Sequence, residues 1–190
     1  MTDFSGGMIC PVCKQKELVY HTDQVSIPHF GSVLIITMRC QKCLFRQNNI
    51  LILDAKEPSR YSVKVEGVAD LAIKVVRSNT GAIRIPEFGI SMEPGTIAQA
   101  FISNIEGILH RFKDAIDMAR RWSEESSKTK RATLLADMID EAIEGKRAFT
   151  LIIEDPLGNS AIVAKDPSRV HIEKLSKHEM EKLKEGLNIS

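Results

Sequence analysis

The sequence is short of cysteine, of aromatic residues and of net charge. Four cysteines, one tryptophan and two tyrosines occur in 190 residues, and lysine plus arginine exceed the acids by a single charge. A chain of this length does not need disulfides, and in a reducing compartment paired cysteines more often hold metal than form them. The near-neutral balance argues against a general nucleic-acid binder, which carries a basic surplus across its domain. No apolar run approaches the ~20 residues of a membrane-spanning helix. The start, Met1 to Gly7, has neither the basic segment nor the apolar stretch of a signal peptide, so a cytoplasmic chain without membrane attachment is expected. Neither a G-x-x-x-x-G-K-S/T phosphate loop nor a G-x-S-x-G nucleophile elbow is present. Iron chemistry needs two histidines and a carboxylate on one metal. His110 falls on a helix pattern and His178 in a charged tail, leaving only His171 in a plausible strand, so no enzyme is expected.

What is present begins with the cysteines. Cys10 and Cys13 form one C-x-x-C, Cys40 and Cys43 a second, and 26 residues separate them. Two such knuckles offer four thiolates, which is what one closed tetrahedral zinc site requires. A redox C-x-x-C would explain one pair and leave the other idle. The chain between the pairs must fold back on itself. Leu18 to Thr22 and Val33 to Met38 are β-branched and apolar, with Pro28 and Gly31 as turn signals, and Ile50 to Leu53 follows as a third strand. These features describe a zinc ribbon over residues 1–54 holding one structural Zn2+ through Cys10, Cys13, Cys40 and Cys43.

A polar linker is expected at Asp54 to Ser59, opening a second unit over residues 55–190. Tyr61, Val63 and Val65 alternate with polar residues as in a strand with one wet face. Leu71 to Val76, Ala82 to Ile85 and Phe88 to Ile90 read as further short strands. From Thr96 the apolar spacing changes to three and four, predicting a helix opened by a capping box of Thr96 and Gln99. Leu134 to Ile143 predicts a second helix, which makes a helical hairpin at about 96–145. Strands resume at Phe149 to Ile153 and Ala161 to Ala164, and Ser176 to Glu185 predicts a terminal helix. A hairpin inserted between groups of strands gives an α+β fold with a mostly antiparallel β domain.

With Cys10-Pro11-Val12-Cys13, Arg39-Cys40-Gln41-Lys42-Cys43, Arg46-Gln47-Asn48-Asn49, Ile83-Arg84-Ile85-Pro86-Glu87 and Phe149 through Ser160 in this order, the sequence resembles the ZPR zinc-finger family over nearly its whole length. The resemblance implies a zinc ribbon followed by a double-stranded β-helix carrying the hairpin. It implies the single-copy, archaeal arrangement, where eukaryotic members carry the unit twice. It also implies binding to translation elongation factor one-alpha and help in its folding. The family has glycine after the fourth cysteine; here Leu44 must close the knuckle without that freedom.

Three residues are candidates for partner contact. Phe30 would sit at the ribbon tip beside His29, either as an exposed apolar anchor or folded under as a small core; His29 as a metal ligand is made redundant by four sulfurs. Arg46, with Arg39 and Lys42, makes the second knuckle basic, which suits an acidic protein surface or a phosphate backbone, or is ordinary solvated charge. The stretch 111–131 holds seven basic residues, but four acids interrupt it, which argues against nucleic acid. The alternative function is nonetheless a zinc-ribbon factor of translation or transcription. Asp155 to Ser160 has the polar groups of a small active site and the make-up of a β-turn, and reads as the turn.

Overall fold

The ribbon is built on one long hairpin. In the computed structural model, which describes residues 2–28, 30–54, 56–95, 98–122 and 126–187, β2 (Leu18–Ile27) and β3 (Gly31–Cys40) pair antiparallel without a slip from Leu18↔Cys40 to Ile27↔Gly31. Gly31 makes the turn possible, with φ +73° and a site where a Cβ would lie 2.2 Å from Asp54 Oδ2. β4 (Arg46–Ile52) pairs with β3, and β1 (Thr2–Met8) adds to β2, giving the order β1-β2-β3-β4. β1 carries Gly6-Gly7 and no apolar alternation, so its residue pattern alone holds no strand signal.

The second unit has two antiparallel sheets. One is ordered β12-β5-β10-β7-β8, from β5 (Ser59–Val65), β7 (Ala82–Ile85), β8 (Ile90–Met92), β10 (Phe149–Asp155) and β12 (Val170–Lys174). The other is β11-β6-β9, from β6 (Lys74–Arg77), β9 (Phe101–Asn104) and β11 (Ala161–Val163). This is the double-stranded β-helix, or jelly roll, that the resemblance implied. Inward residues of β10, Phe149, Leu151 and Ile153, meet Ile83 and Ile85 of β7 and Val63 and Val65 of β5 in one apolar core. The helices α1 (Ile105–Trp122) and α2 (Ser126–Ile143) pack against the same core, α1 through Ile105, Ile108, Leu109 and Phe112. That i, i+3, i+4, i+7 spacing is the apolar stripe of a half-buried helix.

Three local expectations change. The first helix starts at Ile105, not at Thr96; Thr96 itself lies outside the described residues. Phe101 to Asn104 pair with β6 instead, because the spacing that joins Phe101 to Ile105 is equally available to a strand running into a helix. The cap is Asn104, whose Oδ1 accepts from Gly107 N–H at 2.9 Å. Val68–Ala72 forms a 3-10 turn, so only the second half of the predicted Leu71–Val76 strand is extended. Asp70 holds that turn by accepting from Glu66 N–H at 2.9 Å and pairing with Arg169. Phe88 likewise sits in a 3-10 turn ahead of β8.

The ribbon is seated on the smaller sheet. Phe30, Val33 and Val76 are buried together, with Ile27, Ile35, Ile50 and Ile52 of the ribbon and Ala161 and Val163 of β11 around them. The connecting segment is fastened as well. Lys56 N–H donates to Leu157 carbonyl at 2.8 Å, and Asn159 Nδ2 donates to Asp54 carbonyl. Gly158, at φ +66°, approaches so closely that a Cβ there would lie 2.1 Å from the Glu57 carbonyl oxygen.

Asp155 organises that turn from within. Its buried carboxylate accepts from Ser78 Oγ at 2.6 Å, Thr80 Oγ1 at 2.7 Å, Ser160 Oγ at 2.7 Å, Leu157 N–H at 2.9 Å and Asn159 N–H at 3.0 Å. Asp155→Ala would leave these donors without their acceptor, and the expected loss is about 3 kcal/mol or more of stability. A urea unfolding midpoint that does not move would refute this account of the turn.

The terminal helix α3 (Lys177–Leu187) is held by Glu179, which accepts from Ser176 Oγ at 2.6 Å and Ser176 N–H at 2.9 Å and pairs with Arg60 at 2.7 Å. The Ser176 hydroxyl and amide, then Arg60, pull the Glu179 carboxyl down to about 2. Because the folded-state value is depressed, this contribution is complete above the ordinary glutamate range and is lost as pH falls from there through about 2. Carboxyl NMR titration should place Glu179 well below the other exposed glutamates; a midpoint in the ordinary range would remove the proposed anchoring.

Candidate metal centre and the face beside it

Each knuckle is a tight loop closed by the same pair of backbone hydrogen bonds. Cys10 N–H donates to Gln15 carbonyl at 2.8 Å and Lys14 N–H to Cys10 carbonyl at 3.0 Å; Cys40 N–H donates to Phe45 carbonyl at 2.8 Å and Leu44 N–H to Cys40 carbonyl at 3.1 Å. Cys40 ends β3 opposite Leu18, so the hairpin's register fixes where the second knuckle stands relative to the first. The result is two crossed contacts between knuckles, Cys10 Sγ to Cys43 Sγ at 3.7 Å and Cys13 Sγ to Cys40 Sγ at 3.6 Å.

All four sulfurs lie within 4.8 Å of one another. A tetrahedral zinc with Zn–S bonds of about 2.3 Å puts its sulfurs about 3.8 Å apart, so the set fits one zinc ion. Cys10, Cys13, Cys40 and Cys43 would fill all its positions, leaving none for water or substrate. Tyr20, Met38 and Phe45 pack around Cys10, Leu18 and Cys40, and shield the cluster on the ribbon side. Burial alone would raise the Cys10 thiol, but N–H groups of Cys13 and Val12 and the neighbouring thiols outweigh it and bring it down to about 7. At Cys43 the Phe45 amide lowers the thiol, while burial and the other three sulfurs prevail and raise it to about 11. The Cys43 thiol thus resists ionising beside its neighbours, and a dication supplies the compensating charge.

Lys14 and Leu44, the residues after each second cysteine, have φ +60° and +61°. The second knuckle therefore closes in the left-handed conformation despite the side chain of Leu44, which is 68% exposed and gains little packing in return. Left-handed backbone costs a non-glycine residue roughly 1–2 kcal/mol.

His29 lies outside the described residues. Phe30 is 5% exposed, in the seam between ribbon and jelly roll, so the exposed-anchor expectation is corrected: the three-stranded sheet supplies the apolar surface that its ring covers. Arg46 is exposed and faces Arg39 across the β3–β4 ladder. Sequence reasoning did not identify the groove of about 740 Å³ that both arginines line with Val19, His21, Asp23 and Leu44, because it exists only once three strands are in register.

The ZPR1 zinc-finger domain matches residues 7–54 and the ZPR1 jelly-roll domain matches residues 69–187. The chain belongs to the ZPR1 family. An uncharacterized ZPR1-like protein of Methanocaldococcus jannaschii is 44% identical over 181 residues, covering 95% of this chain and 90% of the relative. A second such protein, from Pyrococcus horikoshii, is 41% identical and covers 93% of this chain and 80% of the relative. The zinc finger chaperone zpr1 of Schizosaccharomyces pombe is 30% identical over 158 residues, which are 80% of this chain but 34% of that protein. The chain thus resembles the archaeal ZPR1 relatives along most of their length and the fission-yeast ZPR1 protein along about a third of it. Among the described residues no helix is long and apolar enough to cross a membrane.

Leu44→Gly should stabilise the zinc-loaded protein by about 0.5–1 kcal/mol, since relief of the left-handed strain exceeds the extra freedom gained by the unfolded chain. Chemical unfolding in excess zinc measures it, and a lower midpoint would contradict the strain assignment.

Proposed function

We propose that this chain is a zinc-dependent protein-binding module of the cytoplasm that holds translation elongation factor one-alpha during its folding. The observation that carries the reading is the likeness, over 80% of the chain, to a relative named as a zinc finger chaperone, together with the match to both ZPR1 domains. Two features of the chain support it. The thiolate set is closed, so the metal serves shape and not turnover. The polar turn at Asp155, whose residue types suit a small active site, spends its donors on one carboxylate and on the connecting segment.

Chaperoning needs no catalytic group. A holder that binds the partly folded client better than the finished one shifts the client's equilibrium only by that difference in affinity, and releases it as the client's own core closes. Zinc enters by keeping the ribbon folded, since binding of this kind carries on the order of 10 kcal/mol of folding free energy in small zinc modules.

The test is titration of elongation factor one-alpha, refolding from denaturant, with the zinc-loaded chain and with the chain stripped by chelator. The zinc-loaded chain should bind the refolding factor and raise its recovered yield, and the stripped chain should do neither. Failure of the zinc-loaded chain to bind the refolding factor overturns the assignment of this client.

A further inference from the structure

The ribbon's sheet face is divided. Its tip half, with Val33, Ile35, Ile50 and Ile52, is covered by the jelly roll; its knuckle half is the open groove lined by Val19, His21, Asp23, Arg39, Leu44 and Arg46. Arg39 and Arg46 are direct cross-strand partners. Like charges in that position repel. Neither guanidinium has a hydrogen-bond or ion-pair partner among the described residues. Among the described residues lining the groove the one carboxylate is Asp23, which is engaged by His21 Nε2 at 3.0 Å. A second cost is found on the same rim, where Leu44 holds a left-handed backbone and presents its side chain to solvent.

Strain and like-charge repulsion that the fold does not use point to a ligand that does. We propose that this groove is the recognition site for an acidic, apolar peptide segment of a protein partner. Two side-by-side guanidinium groups would take its carboxylates, and Leu44 with Val19 would take the neighbouring apolar side chain. Arginine forks suit this role because each can accept a carboxylate in a bidentate, charge-assisted pair. The chemistry favours protein over nucleic acid. Among the described residues that line it, the groove offers two arginines, a carboxylate at its His21 end, the polar Thr37 and Gln41 and an apolar rim, whereas a polyphosphate backbone is tracked by an extended basic surface. The proposal rests on the protein-binding reading above and names the part of the ribbon that does the binding.

The experiment uses the full zinc-loaded chain and a short fluorescein-labelled peptide alternating Glu and Leu. Beside it stand the same peptide with Gln for Glu and a labelled oligouridylate of equal length. The acidic peptide should bind with an affinity that falls as salt rises. The double variant Arg39→Gln, Arg46→Gln should weaken it about tenfold or more, the loss expected for charge-assisted pairs. Leu44→Gly should weaken it a further few-fold while raising the unfolding midpoint, a combination that damage to the fold would not produce. Both arginines are exposed and their mutual repulsion is removed, so the double variant should keep the zinc content of the wild type and equal or slightly exceed its stability, and these are measured alongside. Equal binding of the Gln peptide, preference for the oligouridylate, no binding of the acidic peptide, or unchanged affinity in the double variant would each overturn the proposal. Because the peptide assay contains no elongation factor, its outcome is separate from that of the refolding titration: loss of the named client with peptide binding intact removes the client and leaves the groove.

Discussion

Convergence of four thiols from two loops is the constraint on which the ribbon depends. Neither knuckle carries its own core; their sulfurs meet only because β2 and β3 are in register over ten pairs, and that register leaves Cys40 beside Leu18. The dependence runs the other way too, since the hairpin buries only a small cluster at its knuckle end. A group of this size gains little from burial of apolar area, and the free energy of a structural metal substitutes for the missing core.

The opposite end of the hairpin is stabilised differently. There the ribbon borrows apolar surface from the jelly roll, with Phe30 and Val33 against Val76, while Asn159 and the close approach of Gly158 fasten the connecting segment. The polar stretch from Asp54 onward is therefore not a free tether. Its backbone groups find partners in the turn that Asp155 builds, which accounts for the gathering of hydroxyl and amide groups there.

Much of this was legible in the residues. The cysteine spacing announced the metal centre, and the β-branched runs around Pro28 and Gly31 announced the hairpin. The 3.6-residue stripe of α1 announced its buried face, though not its start, because Phe101 to Asn104 satisfy a strand partner that only the tertiary fold provides. β1 was silent because pairing along β2, not its own pattern, makes it a strand. Phe30 was visible as an apolar residue at a tip, but the sequence cannot say whether a tip meets solvent or a neighbouring sheet. The groove was invisible for the related reason that Val19, Arg39 and Arg46 come from three strands, and their adjacency is a property of register.

The seam at one end of the hairpin and the metal at the other make the ribbon a lever. From Val33 to Cys40 the strand extends roughly 20 Å at its usual rise per residue. A tilt of about 10° at the fulcrum therefore carries the sulfur end through roughly 3–4 Å, comparable to a side chain's reach. Small changes in seating are thus magnified at the sulfurs, and the packing of Phe30, Val33 and Val76 with the hydrogen bonds from the connecting segment is what sets where the far end of the arm stands.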